Sequence, residues 1–147
     1  MSPRTALQIR PTAYAQERDA ALALRHRVFC EEQGVAPGLE VDGRDDDALH
    51  LVAVRDGAVV GTCRVRLEGH TAKVGRMAVE RTARRTGIGS ELLAAALEEA
   101  RAAGATRASL NAQVAAVGLY ARAGFVATGE PFEEAGIDHV RMERPLA

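Results

Sequence analysis

Residues 74–97 read VGRMAVERTARRTGIGSELLAAAL, and the change of hydrophobic period inside this segment constrains the fold more than any other feature. Ala72 to Val79 reads as a strand, whereas from Gly87 onward Leu92, Leu93, Ala96, Leu97 and Ala100 recur at helical spacing until Gly104 stops the helix. Between strand and helix lies a loop carrying Arg81, Arg84 and Arg85 with glycines at 87 and 89. The first backbone N–H groups of a helix have no partner within it and, with the helix dipole, attract an anion. Gly87 and Gly89 have no Cβ, so a diphosphate can approach the main chain closely while the arginines supply positive charge. Arginines grouped at a helix N-terminus oppose its dipole unless an anion offsets them.

The flanking segments extend this unit into a mixed domain. Leu7 to Arg10 fits a short strand halted at Pro11, and Ala13 to Phe29 has a mostly helical composition. The Gly-, Pro- and Asp-rich stretch from Gly34 to Asp47 reads as an exposed loop, a place where substrate contacts are often carried. His50 to Arg55 and Ala58 to Arg66 are Val-rich runs joined by Asp56-Gly57, the dipeptide of a type I′ hairpin turn. Thr106 to Leu110 predicts a strand, Val114 to Ala123 a helix capped by Gly124, and Phe125 to Thr128 and Val140 to Glu143 two further strands. A hairpin followed by β-α-β-α-β argues for an α/β (α+β) domain with a mixed, mostly antiparallel central sheet flanked by helices on both faces.

At 147 residues one domain spanning 1–147 suffices. With 19 basic and 20 acidic residues the chain lacks the electrostatic footprint of a general nucleic-acid binder. Cys30 and Cys63 are too few and too far apart for a disulfide framework or a CxxC motif, and read as reduced, buried thiols. MSPRTALQIRPT has no apolar core of signal-peptide length and no stretch approaches a membrane span, so a cytoplasmic protein is expected. The acidic run Asp42, Asp45, Asp46 and Asp47 beside His50 lacks the alternation and glycine of a calcium loop, and one histidine is not a zinc site. It reads as a solvated loop, and no metal is expected.

The identity of the anion follows partly by elimination. Ser90-Glu91 after Gly89 leaves no lysine of a Walker A loop, and Leu92 stands where a dinucleotide fingerprint needs its third glycine. What the segment resembles is motif A of the GNAT acetyltransferases, Gln/Arg-x-x-Gly-x-Gly/Ala, met by Arg84, Gly87 and Gly89 after the strand ending Met77-Ala78-Val79. Arg85 departs from that pattern, standing where the family often has glycine. Downstream, LNAQVAAVGLYARAGF resembles motif B through Asn111, Tyr120 and Gly124-Phe125. The two motifs occur in the right order, and the resemblance is strongest from about residue 50 to residue 130.

The resemblance implies the GNAT acyl-CoA N-acyltransferase fold, with acetyl-CoA as acyl donor and a primary amine, small or on a protein, as acceptor. It implies a splayed strand whose Met77, Ala78 and Val79 backbone holds the pantetheine arm and polarises the thioester carbonyl. Arg84, Arg85, Thr86, Gly87, Ile88, Gly89 and Ser90 would take the pyrophosphate, Asn111 the pantetheine amide, and Tyr120 would give a proton to the departing thiolate. A satisfied core aromatic is the plain alternative for Tyr120, and a strand terminator for Asn111. For a base that accepts the amine proton, Glu32, His50, Glu134 and His139 are open.

LRHRVFCEEQGV is similar to the opening of the ElaA-like and YjcF-like bacterial GNAT subgroup, where Val28-Phe29 and Glu32-Gln33 match and Arg27 and Asp42 are offset. The ending GIDHVRM places His139 correspondingly. On this basis Phe29, Glu32, Gln33, His50 and His139 are expected on the acceptor side. Two alternatives remain, a non-catalytic coenzyme A binding or sensing domain and an acyl-homoserine-lactone-synthase-like acyltransferase. The acceptor stays open, and pairing as a homodimer through an exposed final strand is consistent with the resemblance.

Overall fold

The computed structural model describes residues 6–146, so the leader reading of the N-terminus falls partly outside it. Seven strands form one sheet in the order β1-β2-β3-β4-β5-β7-β6. β1 (Gln8–Pro11), β2 (Leu49–Arg55), β3 (Ala58–Glu68) and β4 (Thr71–Val79) pair antiparallel in sequence order. The β2–β3 turn has Asp56 at φ 53° and Gly57 at φ 74°, the two left-handed residues a type I′ turn requires. β5 (Arg107–Gln113) lies parallel to β4, and β7 (Ile137–Pro145) separates it from β6 (Val126–Glu134).

Alternation along the strands divides the apolar residues between two layers. Leu51, Ala53, Cys63, Val65, Ala72, Val74, Ala108, Leu110, Val140 and Met142 meet Leu92, Leu93, Ala96, Leu97 and Ala100 of α3 (Ile88–Ala102) in the main core. The opposite side chains of β2, Val52 and Val54, meet Ala21 of α1 (Ala15–Arg25), and Ala78 of β4 meets Leu24 and Val28. α3 approaches β3 closely over Gly61, where a Cβ would stand 2.9 Å from Ile88 Cγ2. α4 (Val117–Arg122) follows a 3-10 turn at Val114–Ala116 and packs Val117 and Tyr120 against the α3-side core.

Four expectations change. The first helix ends at Arg25 and continues as a π-helix over His26–Glu32. The wider turn carries Phe29 and Gln33 to the sheet's open side, and composition alone does not signal it. The Gly34 to Asp47 stretch holds a short helix, α2 (Pro37–Glu40), and its acidic run is only in part solvated, as described below. β6 and β7 form a long hairpin turning at Ala135-Gly136, φ 54° and 79°, so the last strand is internal and β6 is the exposed edge. Cys63 is buried but Cys30 is only half-buried.

Candidate active site

β4 and β5 pair at only three positions, Thr71↔Arg107, Ala72↔Ala108 and Lys73↔Ser109. Beyond these they diverge, and the gap between Val74–Val79 and Leu110–Gln113 opens into a cleft of about 710 Å³. β4 is also bulged here. Thr62 of β3 faces Ala78 and Arg64 faces Gly75, so two residues of β4, Arg76 and Met77, oppose Cys63 alone. Arg76 adopts φ 51°, a left-handed conformation that costs a non-glycine residue about 1 kcal/mol. The strand thereby presents unpaired backbone to the cleft, with Met77 packed toward α3 and Ala78 toward α1.

The cleft continues past Val79, Arg84 and Leu119 into a basin of about 260 Å³ at the start of α3. Arg84, Arg85, Gly87, Ile88, Gly89 and Ser90 line it. None of the N–H groups from Arg85 to Ser90 donates to a carbonyl among the described residues; the first such bond is from Glu91 to the Gly87 carbonyl, 3.1 Å. Gly87 precedes the helix at φ 87°, and Arg85 stands at φ 64°. A left-handed backbone is one that glycine adopts without steric cost and that arginine adopts only under strain. Thr86 lies outside the lining; its hydroxyl donates to the Ala83 carbonyl, 2.6 Å, and fixes the turn. Ile88 is buried in the core, so only its backbone serves the basin. Arg84 donates through Nε to the Val79 carbonyl, 2.9 Å, and its guanidinium pairs with Glu32, 2.8 Å. Arg122 from α4 completes the basin, and the sequence reading missed it; its signal was a position one helical turn beyond Leu119.

Tyr120 projects from α4 into the cleft and meets Phe125 edge-on, ring centroids 6.2 Å apart. Burial pushes its hydroxyl up to about 12, and no hydrogen bond contributes to that value. A phenol so placed stays protonated across the physiological range. Asn111 lines the cleft from β5, opposite Arg141 of β7.

The acceptor-side candidates separate. Phe29, Gln33 and His139 line the cleft, with Gln33 Oε1 accepting from Gln113 Nε2 at 2.9 Å. His139 contacts the Ile137 carbonyl through Nδ1, 2.7 Å, and because a carbonyl only accepts, Nδ1 carries a proton, which makes Nε2 the acceptor of the neutral ring. Nε2 lies 3.7 Å from Glu134, and the ring stacks on Phe132. Glu32 pairs with Arg84 and Arg81 outside this lining. His50 is buried away from the cleft. Its Nε2 donates to the Asp45 carbonyl, 2.9 Å, Nδ1 has no partner, and burial lowers its pKa.

A partly buried ion network, with Arg25, Glu40 and Arg64 at its buried centre, was not anticipated. Arg25, 1% exposed, pairs with Glu40 and with Asp45, the latter at 2.8 Å. Arg64 donates to Asp42 at 2.8 and 2.9 Å and to Asp45 at 3.1 Å. Arg76 reaches Glu40 at 3.1 Å and Asp42 at 3.3 Å. Its hydrogen bond from Arg64 holds the Asp42 carboxyl well below the usual carboxylate range. Asp42 and Asp45 are thus structural anchors, correcting the solvated-loop reading, while Asp46 reaches solvent and pairs with Arg18. The network ties the 34–47 segment to the β4 bulge and secures the left-handed Arg76. Its sequence signal was Arg25, three residues before Val28 in the segment already singled out. Among the described residues no three His, Cys, Asp or Glu side chains converge as a metal-ligand set, and no helix is long and apolar enough to cross a membrane.

Comparison with known proteins agrees with this geometry. Residues 16–146 match the acetyltransferase (GNAT) domain. The uncharacterized N-acetyltransferase YjcF of Bacillus subtilis is 32% identical over 123 residues, covering 83% of this chain and 88% of that protein. An acyl-CoA N-acyltransferase from Pseudomonas aeruginosa superposes with a TM-score of 0.83 at 33% identity, over 95% of this chain and 99% of that one. Escherichia coli ElaA superposes at 0.84 with 26% identity, again over 95% and 99%. The chain belongs to the GNAT N-acetyltransferase family, has its acyl-CoA N-acyltransferase fold and is an acyltransferase.

Proposed function

We propose that the protein transfers an acetyl group from acetyl-CoA to a primary amine by direct attack in a ternary complex. The observation that carries this reading is the parting of β4 from β5 after Lys73↔Ser109, in a cleft continuous with the unpaired N–H groups of the 85–90 loop. The pyrophosphate sits in the basin on the N–H groups of 85 to 90, with Arg84, Arg85 and Arg122 around it, and Thr86 braces the turn. The pantetheine arm adds to the edge of β4 that β5 leaves at Met77, Ala78 and Val79, beside the Arg84 guanidinium held on the Val79 carbonyl, with Asn111 opposite.

The amine lone pair forms the C–N bond, the carbonyl pair moves onto oxygen, and backbone N–H of the bulged strand receives that oxyanion. Collapse breaks the C–S bond and releases a thiolate. Full proton transfer from a phenol near 12 to a thiolate of ordinary pKa about 8.5 is uphill. Tyr120 therefore stabilises the thiolate as a hydrogen-bond donor during C–S cleavage. His139 Nε2, with Glu134 beside it, is the acceptor best placed for the amine proton, because Glu32 is engaged by arginines and His50 is off the cleft. Neither cysteine lines the cleft, and burial pushes Cys63 up to about 12, which argues against a covalent acyl-enzyme on sulfur.

Thermal unfolding with acetyl-CoA, coenzyme A, ATP and NAD tests the reading, since a ligand bound only by the native state raises Tm according to its affinity. Acetyl-CoA and coenzyme A alone should raise it, followed by amine-dependent thiol release. No shift with either removes the proposal.

A further inference from the structure

On the face of the sheet not covered by α3, β5 is flanked by two cations with no hydrogen bond among the described residues. Six cations line the cleft: Arg64, Arg66, Lys73, Arg76, Arg84 and Arg141. Four are committed, Arg64 to Asp42 and Asp45, Arg66 to Glu68, Arg76 to Glu40, and Arg84 to the Val79 carbonyl. Lys73 has only a 3.4 Å ion contact to Glu68, which already accepts from Arg66. Arg141 has only a 3.7 Å contact to Glu143, whose other oxygen is taken by Arg107.

Registry puts these two side chains on one side of the sheet. Lys73 is level with Ser109, Asn111 is two residues further along the same strand face, and Asn111 is level with Arg141. Their strand neighbours Ala72, Ala108, Leu110, Val140 and Met142 point the opposite way, into the α3 core. His139 shares the Arg141 face of β7, two residues away, so about 7 Å separates them along the strand. One end of this acceptor surface is therefore basic, at Arg141 and Lys73. The other holds His139 Nε2 and the Glu134 carboxylate.

We propose that the acceptor is a primary amine whose own molecule carries an anionic group, with Arg141 and Lys73 holding the anion while the amine lies toward His139 and Glu134. The inference rests on the acyl-transfer reading above and specifies its substrate class. A guanidinium that lacks a hydrogen-bonded carboxylate offers its planar donor fork to carboxylate or phosphate alike. A polyamine or other purely cationic acceptor would place a like charge against both residues.

Calorimetric titration of matched amines into the coenzyme-A-loaded protein tests this, using β-alanine against propylamine for a carboxylate and phosphoethanolamine against ethanolamine for a phosphate. At least one anionic member should bind about tenfold or more tightly than its partner, as expected for a hydrogen bond to a charged group. Arg141→Gln should erase that preference without altering coenzyme A affinity, and Arg141→Lys should restore part of it. In turnover, the loss should fall on acceptor KM rather than kcat. Anionic members that bind no better than their partners, or do not bind, overturn the proposal, as does a preference that survives Arg141→Gln. Titrations without coenzyme A keep the two readings apart: failure of coenzyme A to bind counts against acyl transfer, whereas the anion preference is read with or without it.

Discussion

Tyr120 shows how one residue's environment defines its chemistry. An exposed tyrosine ionises near 10, whereas burial raises this hydroxyl to about 12. The native state thus keeps the proton that an unfolded chain releases, so this contribution to stability is intact below pH 10 and is lost as pH rises from about 10 toward 12. The donor remains in place over the same interval, and the rate should show no fall assignable to Tyr120 up to about pH 10. Tyr120→Phe should lower kcat by roughly a hundredfold while leaving acetyl-CoA affinity nearly unchanged, as steady-state kinetics with calorimetry would reveal. Equal turnover would leave the thiolate to water. Gly89 offers the complementary residue test. A Cβ there meets only Leu119, at 3.5 Å, an ordinary contact, so Gly89→Glu should fold with little change in Tm. It places an anion in the basin proposed for the pyrophosphate, and coenzyme A binding should disappear from calorimetry. Tyr120 and Gly89 were both legible in the sequence because local motifs carry them. Arg122 and Arg141 were not, because their significance arises only when separate elements meet around one cleft.

Elements position these residues through packing, and Gly61 is where the 85–90 loop depends most directly on it. The side-chain methyls of Ile88 and Leu92 on α3 lie 2.9 and 3.0 Å from a Cβ placed at Gly61, so a side chain there must push these two residues away from β3. Gly61→Val should cost about 1–3 kcal/mol of stability and, by shifting the start of α3, raise the KM for acetyl-CoA. Denaturant unfolding measures the first effect and kinetics the second; a stability loss with unaltered KM would show that the loop follows β4 rather than α3. At this scale legibility follows how local the cause is. The β2–β3 hairpin was readable from Asp56-Gly57 because two adjacent residues fix a type I′ turn. The β6–β7 hairpin was not, since Ala135-Gly136 is a weak turn signal and the strand residues Pro131 to Glu134 look like loop. The π-helix over His26–Glu32 was likewise hidden, since composition does not mark the wider turn, and the bulge at Arg76 was hidden because its partners lie far off in the chain. Arg76 keeps its left-handed backbone through Glu40 and Asp42, more than thirty positions away in the chain.

Across the whole molecule, the sheet consists of two halves, β1 to β4 and β5-β7-β6, joined directly by three residue pairs and backed by α3. Length and the order of elements pointed to a single mixed domain, but they could not indicate that its sheet is divided at the site. On the proposed reading such a seam makes ligand binding a structural event, because a pantetheine arm along β4 would supply hydrogen bonds that β5 does not. Backbone amides of Gly75–Val79 should therefore exchange with solvent more readily than those of the β2–β3 ladder in the free protein. With acetyl-CoA at a hundred times its Kd, opening of the seam must release the ligand, a stabilisation of about 2.7 kcal/mol, and exchange should slow by about a hundredfold. Amides at the β1 edge, Gln8–Pro11, belong to a separate, outlying pairing with β2 and should change little. Hydrogen exchange resolved by residue or short peptide makes this comparison. Protection concentrated along Gly75–Val79 and at the 85–90 loop would locate the cofactor on both parts of the cleft. Protection spread evenly over the chain would instead mean that these amides exchange only through global unfolding, and the two halves would then act as one cooperative unit despite the narrow join.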